Sequence, residues 1–162
     1  MEDHGSAALR VLLASFPDAI HGTHAYLGDA TAVVDPERVD QVLLRLRDDP
    51  ALAFEMLTDL TCVDHLGEEP RFEVVYHLYS VSKNHRVRVK ARVSEPSPEL
   101  PSAVAIWPSA DWMEREVWDL YGVRFRGHPD LRRILLYDGF EGHPLRKDYP
   151  KERRQPLVGP RN

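Results

Sequence analysis

Eight histidines, one cysteine and a knot of carboxylates are the residues of this 162-residue sequence that could do chemistry. A metal centre needs ligands that converge at defined spacing. His4, His21, His24, His65, His77, His85, His128 and His143 include no pair at i,i+4 on a helix. The single thiol, Cys62, has no CxxC partner and no second cysteine for an internal disulfide. No metal ligand set is therefore expected, and a reducing compartment fits. Glu114, Glu116 and Asp119 could suggest paired carboxylates for acid–base work. With Arg115 among them on one helix, they read better as ion-pair partners. No Ser/His/Asp grouping and no glycine-rich phosphate loop occurs. His128 and His143 each precede a proline and read as turn-fixing or interface residues, not general bases. His77 reads as structural or solvent-facing. No catalytic residue and no cofactor-binding residue is expected.

Charge is unevenly spread. Residues 1–121 hold 11 Lys and Arg against 21 Asp and Glu, a net of −10; residues 122–162 hold 10 against 5, a net of +5. The second segment also carries five of the 13 prolines and five of the nine glycines. That composition disfavours another packed helix or sheet layer. Arg86, Arg88, Lys90 and Arg92 add a basic strand face. A nucleic-acid binder would show such a footprint, but a pI near 5.9 and the lack of interleaved aromatics argue against it. A solvated face, or contact with an acidic partner, is the better reading. No run of 18 apolar residues is present to span a membrane. Met1-Glu2-Asp3 lacks the basic start of a secretory signal.

The elements that must position these residues can be read from periodicity. Leu9, Leu12, Leu13 and Phe16 predict a helix over 6–16. Strands are expected at 23–27 and 31–35, with a turn at Gly28-Asp29. Asp35 as N-cap and Pro36 at the first helical position open a second helix with a stripe of Val39, Val42, Leu43 and Leu46. Residues 53–62 are ambiguous. Segments 72–79 and 86–93 alternate apolar and polar residues cleanly and predict a hairpin. Residues 94–101, with three prolines, read as loop, and 103–107 as one helical turn. The order is αββαβββ, then a helix and a tail. This predicts an α+β fold with helices packed on one face of a mixed sheet, followed by an extended C-terminal tail.

The helix over 109–121 is the best signalled. Ser109 can cap it, Asp111 suits its first turn, and Gly122 stands where a left-handed C-cap belongs. Asp111–Arg115 and Arg115–Asp119 are i,i+4 pairs. Placed at about 100° per residue from Glu114, Ala110, Met113, Val117, Leu120 and Tyr121 form one apolar stripe. Trp112 and Trp118 fall outside it, among Asp111, Arg115 and Asp119. Either the tail folds back over them or they anchor a partner, as Trp and Arg commonly do.

Glu114-Arg115-Glu116, Asp119-Leu120-Tyr121, His128, Arg132 and Ile134-Leu135, at their spacings, resemble the signature of the respiratory complex I 30-kDa subunit family. The run from Glu141 to Pro150 resembles it too, as do more loosely 60–64 and the hairpin of 72–93. The resemblance implies a two-layer α+β domain with a mixed five-stranded sheet, helices on one face and no cofactor, a body over 1–121 and an extended basic tail over 122–162 that contacts partner subunits. Those partners are the 49-kDa-type (D) subunit and the iron–sulfur (B and I) subunits. FMN, iron–sulfur clusters and quinone would reside in partner subunits, and the chain would lie on the cytoplasmic side of the bacterial cell membrane, touching it only through the complex. Interface residues on this reading are Trp112, Glu114, Arg115, Glu116, Trp118, Asp119, His128, Arg132, His143, Arg146, Lys147 and Asp148. An equivalent component of a membrane-bound hydrogenase or another complex-I-like oxidoreductase is the second reading. A stand-alone soluble enzyme is the third.

Overall fold

A computed structural model describes residues 6–156; residues 1–5, which include His4 and the acidic start, and 157–162, the end of the basic tail, lie outside it. Three helices, α1 (Ala7–Ser15), α2 (Val39–Asp48) and α3 (Ala110–Tyr121), pack on a sheet of five strands. These are β1 (Ile20–Tyr26), β2 (Asp29–Val34), β3 (Met56–Asp64), β4 (Phe72–Ser80) and β5 (His85–Val93). Their spatial order is β1-β2-β5-β4-β3. All neighbours are antiparallel except β2 and β5, which run parallel and make the sheet mixed.

The core lies between the helices and one sheet face. Leu9 and Leu12 of α1 and Val39, Val42, Leu43 and Leu46 of α2 are buried, as the stripes predict. Phe72, Val74, Tyr76 and Leu78 face them from β4, and Val87, Val89, Ala91 and Val93 from β5. The ambiguity at 53–62 has a physical cause. A register shift between Leu57 and Asp59 puts Leu57 and Leu60 on the same face three residues apart, so period-2 alternation fails although the segment is a strand.

Local chemistry accounts for the connections. The turn between β1 and β2 is Leu27-Gly28, one residue earlier than expected, with both residues at positive φ as a two-residue hairpin requires. Asp35 accepts the Glu37 N–H at 3.0 Å over a 3-10 turn, Pro36–Arg38, that leads into α2. The proline-rich 94–101 is not all loop. Its end forms β6 (Glu99–Pro101), parallel to β7 (Arg124–Arg126). The flanking bonds run from Arg124 N–H to Pro98 O and from Ser102 N–H to Arg126 O, so the Pro101 nitrogen need not donate. Val123 and Phe125 are buried in the same core as the sheet, so the body continues to Arg126. Beyond it the chain forms no further helix or strand as far as residue 156, and returns along α3 and the end of the sheet.

Gly122 permits that return. Its φ of +78° closes α3, with its N–H on Trp118 O at 2.8 Å. A Cβ there would lie 2.6 Å from the His143 ring and 2.7 Å from Arg146 Nη2. Gly122→Ala is expected to cost about 2–3 kcal/mol of stability in denaturant unfolding, from the left-handed backbone and the clash together.

Candidate functional site

The signature residues of α3 are bound within the chain, though seldom by the partners that spacing suggests. Ser109 does not cap: its backbone is helical and its side chain makes no capping bond. The pairs expected from Arg115 to Asp111 and Asp119 do not form. Arg115 instead donates to the carbonyls of Arg132, at 3.1 Å, and Arg133, at 2.9 Å. Glu114 is fully buried, and among the described residues no cation pairs with it. Ser102 Oγ and the Ala103 N–H each donate to its carboxylate at 2.6 Å. Burial dominates over those bonds and pushes Glu114 up to about 7. The ion-pair reading therefore fails for Glu114, because a position beside the apolar stripe is here a position inside it.

Asp119 is the acceptor that fastens the returning chain. One oxygen takes Arg133 Nη1 at 2.6 Å. The other takes the successive N–H groups of Ile134, Leu135 and Leu136 at 3.1, 2.9 and 2.9 Å. Burial alone would raise this carboxyl, but the amides and Arg133 together hold it below its ordinary value. Arg133 also donates to Phe140 O and Gly142 O, and lies over the rings of Trp118 and Phe140. Trp118 is thus half-buried under the chain's own C-terminal segment, whereas Trp112 is 70% exposed. His128 accepts the Asp130 N–H on Nδ1, so its proton sits on Nε2, which faces Asp111 O at 3.1 Å. His143 Nδ1 contacts Asp119 O at 2.9 Å, and Arg146 donates to Tyr121 O.

The strongest constellation was not legible from spacing. Arg71, 2% exposed, uses all five guanidinium N–H groups. Nε and Nη2 hold Asp64 at 2.8 and 2.9 Å; Nη1 and Nη2 hold Asp148 at 3.0 and 2.8 Å; Nη1 reaches Glu95 at 2.8 Å. Asp64 also accepts the Lys147 N–H at 2.8 Å. The Arg71 hydrogen bonds hold Asp64 and Asp148 below the ordinary carboxylate range. A usable signal existed. Leu60, Cys62 and Asp64 share the inward face of β3, and a carboxylate so placed needs a buried cation.

Of the remaining expected residues, Glu116, Arg132 and the Lys147 side chain are exposed. With Trp112 they border open surface rather than converge on a reaction centre. An apolar groove of about 560 Å³ runs between α3 and the returning chain, lined by Pro108, Trp112, Met113, Ile134 and Leu135, with Asp111 and Glu116 on its rim. Among the described residues no three His, Cys, Asp or Glu side chains are grouped to hold a metal ion. Cys62 is buried and pushed up to about 12, first by desolvation and then by Asp64 and Glu73, so it is a poor nucleophile.

A sequence model of the family described as respiratory-chain NADH dehydrogenase, 30 Kd subunit, matches residues 32–155. The NADH-quinone oxidoreductase C 2 subunit of Rhizobium meliloti (strain 1021) is 48% identical over 142 residues, 88% of this chain and 78% of the relative. The C subunit of the same enzyme from Roseiflexus castenholzii is 50% identical over 139 residues, 86% of this chain and 80% of the relative. Among solved structures, a trypsin-resistant fragment (1-134) of Nqo5 superposes with a TM-score of 0.66 at 33% identity, covering 76% of this chain and 98% of the fragment. A chain of an archaeal membrane-bound sulfane sulfur reductase has a TM-score of 0.75 at 24% identity, over 91% of this chain and 86% of that one, and shares the fold.

Two outcomes follow from the buried charges. Arg71→Met strands Asp64 and is expected to cost about 3–5 kcal/mol in denaturant unfolding. Glu114 binds its proton more tightly folded than unfolded, so its contribution is full below about 4.5 and is lost as pH rises through about 7. Wild type minus Glu114→Gln stability should therefore fall by about 3 kcal/mol across that window. A flat difference would show that Glu114 is not held protonated.

Proposed function

Because the chain belongs to the respiratory-chain NADH dehydrogenase 30-kDa subunit family, we propose that it is a structural subunit of the peripheral arm of a proton-translocating NADH:quinone oxidoreductase. In this reading it holds no cofactor and does no chemistry of its own. FMN, the iron–sulfur clusters and quinone belong to partner subunits, and this chain positions them for electron transfer from NADH. It packs beside the 49-kDa-type (D) subunit, near the iron–sulfur (B and I) subunits, on the cytoplasmic side of the membrane, and reaches the bilayer only through the complex.

The observation that carries this reading is what α3 does with its side chains. Glu114, Arg115 and Asp119 are committed to bonds within the chain. Glu114 ties the helix to the 102–103 turn, while the bonds of Arg115 and Asp119 fix the backbone of 132–136 against the helix and so build the groove in which Trp112 and Leu135 stand 70% and 61% exposed. A rigid, aromatic, acid-rimmed groove suits an anchor for another protein. Rigidity matters because little ordering entropy is then lost on assembly.

Affinity purification of the tagged chain from native membranes should recover the 49-kDa-type and iron–sulfur partners; recovery of the chain alone would overturn the proposal. Trp112→Ala combined with Leu135→Ala should reduce recovery of the complex about tenfold or more while the isolated chain melts within a few degrees of wild type. Trp118→Ala should show the opposite balance, since its ring lies under Arg133. Equal effects of the two changes on assembly would remove the groove from the interface.

A further inference from the structure

The helices occupy one face of the five-stranded sheet, and among the described residues no helix covers the other. Along β5 that open face presents Arg86, Arg88, Lys90 and Arg92, across from Tyr79, His77, Val75 and Glu73 of β4. The four cations are not equally neutralised. Lys90 Nζ lies 2.8 Å from Glu73 Oε1 and Arg92 Nη2 lies 3.0 Å from Glu68 Oε2. At the other end, among the described residues, Arg88 reaches only Asp29, at 3.8 Å, and Thr31 Oγ1, at 3.4 Å. Arg86 is exposed, and among the described residues no carboxylate pairs with it.

Beside these two guanidiniums opens a cavity of about 400 Å³, lined by Arg86, Arg88, His77, Tyr79, Thr58 and Asp29. His77 is pushed below its ordinary value by burial and then by the charge of Arg88, so the cationic character of the cavity rests on the arginines. Met56, the β3 partner of the lining residue Tyr79, stands 49% exposed on the adjacent strand. A small anion would use the guanidiniums and leave that apolar side chain bare. A polypeptide would use both.

The geometry points to this end of the open sheet face as a docking site for an acidic segment of a neighbouring polypeptide. Its carboxylates bind Arg86 and Arg88, and its apolar side chains cover Met56. Guanidinium forks hold carboxylates in bidentate fashion, which gives register as well as attraction. Because residues 1–121 carry a net charge of −10, an acidic segment is repelled by most of the body and accepted here, which selects one orientation. The site takes its partner from the proposed complex but is separate from the α3 groove.

Carbodiimide cross-linking tests this in the complex isolated from native membranes. The reagent joins an amine to a carboxylate in contact with it and leaves guanidinium groups alone. The amine introduced by Arg86→Lys should therefore give a cross-linked peptide to an Asp or Glu of another chain, absent from wild type. A link only to Asp29 of the same chain, or none in an intact complex, overturns the docking site and leaves the assembly reading standing. Failure of any complex to form around the unaltered chain overturns both. Arg86→Glu with Arg88→Glu should lower recovery of the complex at least about tenfold, with the melting temperature of the isolated chain unchanged. Unchanged recovery overturns the proposal.

Discussion

A guanidinium that cannot give up its proton, placed where water does not reach, needs a partner for every N–H. Arg71 meets that need with five hydrogen bonds to three carboxylates from three parts of the chain. Asp64 ends β3, Glu95 follows β5, and Asp148 comes from the C-terminal segment. None of the three segments can shift without stranding charge, and a stranded buried charge costs more than most single contacts return. The guanidiniums of Arg71 and Arg146 both lie over the Phe72 ring, each 4.9 Å from its centroid.

Asp119 is the complement of that arrangement: a buried anion served by a guanidinium and three consecutive amides. Together the two centres attach the proline- and glycine-punctuated chain after β7 to the body, Asp119 at the last turn of α3 and Arg71 at the end of β3. The excess of acid in one part of the sequence and of base in the other is therefore partly an internal match. Arg133 answers Asp119 across the boundary, and Arg126 answers Glu37. The match is not one-way, because Asp148 returns a negative charge to a cation of the body.

Legibility followed the range of the forces involved. Period-2 and period-3.6 patterns, the Asp35 turn and the Gly122 cap are local, and they identified β4, β5, the helical stripes and the α+β class. The bulge in β3 was hidden because one extra residue changes which side chains share a face. Spacing on α3 suggested i,i+4 ion pairs, but Arg115 gains more from two backbone carbonyls brought in from residues 132 and 133. Glu114 lies on the wheel beside the stripe, and only the position of the 102–103 turn shows that it is enclosed. Arg71 was missed because its partners lie 7, 24 and 77 residues away. The resemblance singled out residues of 107–150 as a group; it could not say that many of them bond to one another.

The parallel pairing of β2 with β5 has a consequence for a chain made from its N-terminus onward. β2 leaves the ribosome with only β1 to pair with, and its other edge stays open until residues 88–91 arrive to face 31–34. Between the two come α2, β3 and β4, so the sheet is closed from its middle rather than grown from one side. Arg71 waits longer still, since Asp148 emerges 77 residues after it. The last of its three carboxylates to be synthesised completes the ring around this buried charge, and until then the sheet carries an unfilled guanidinium.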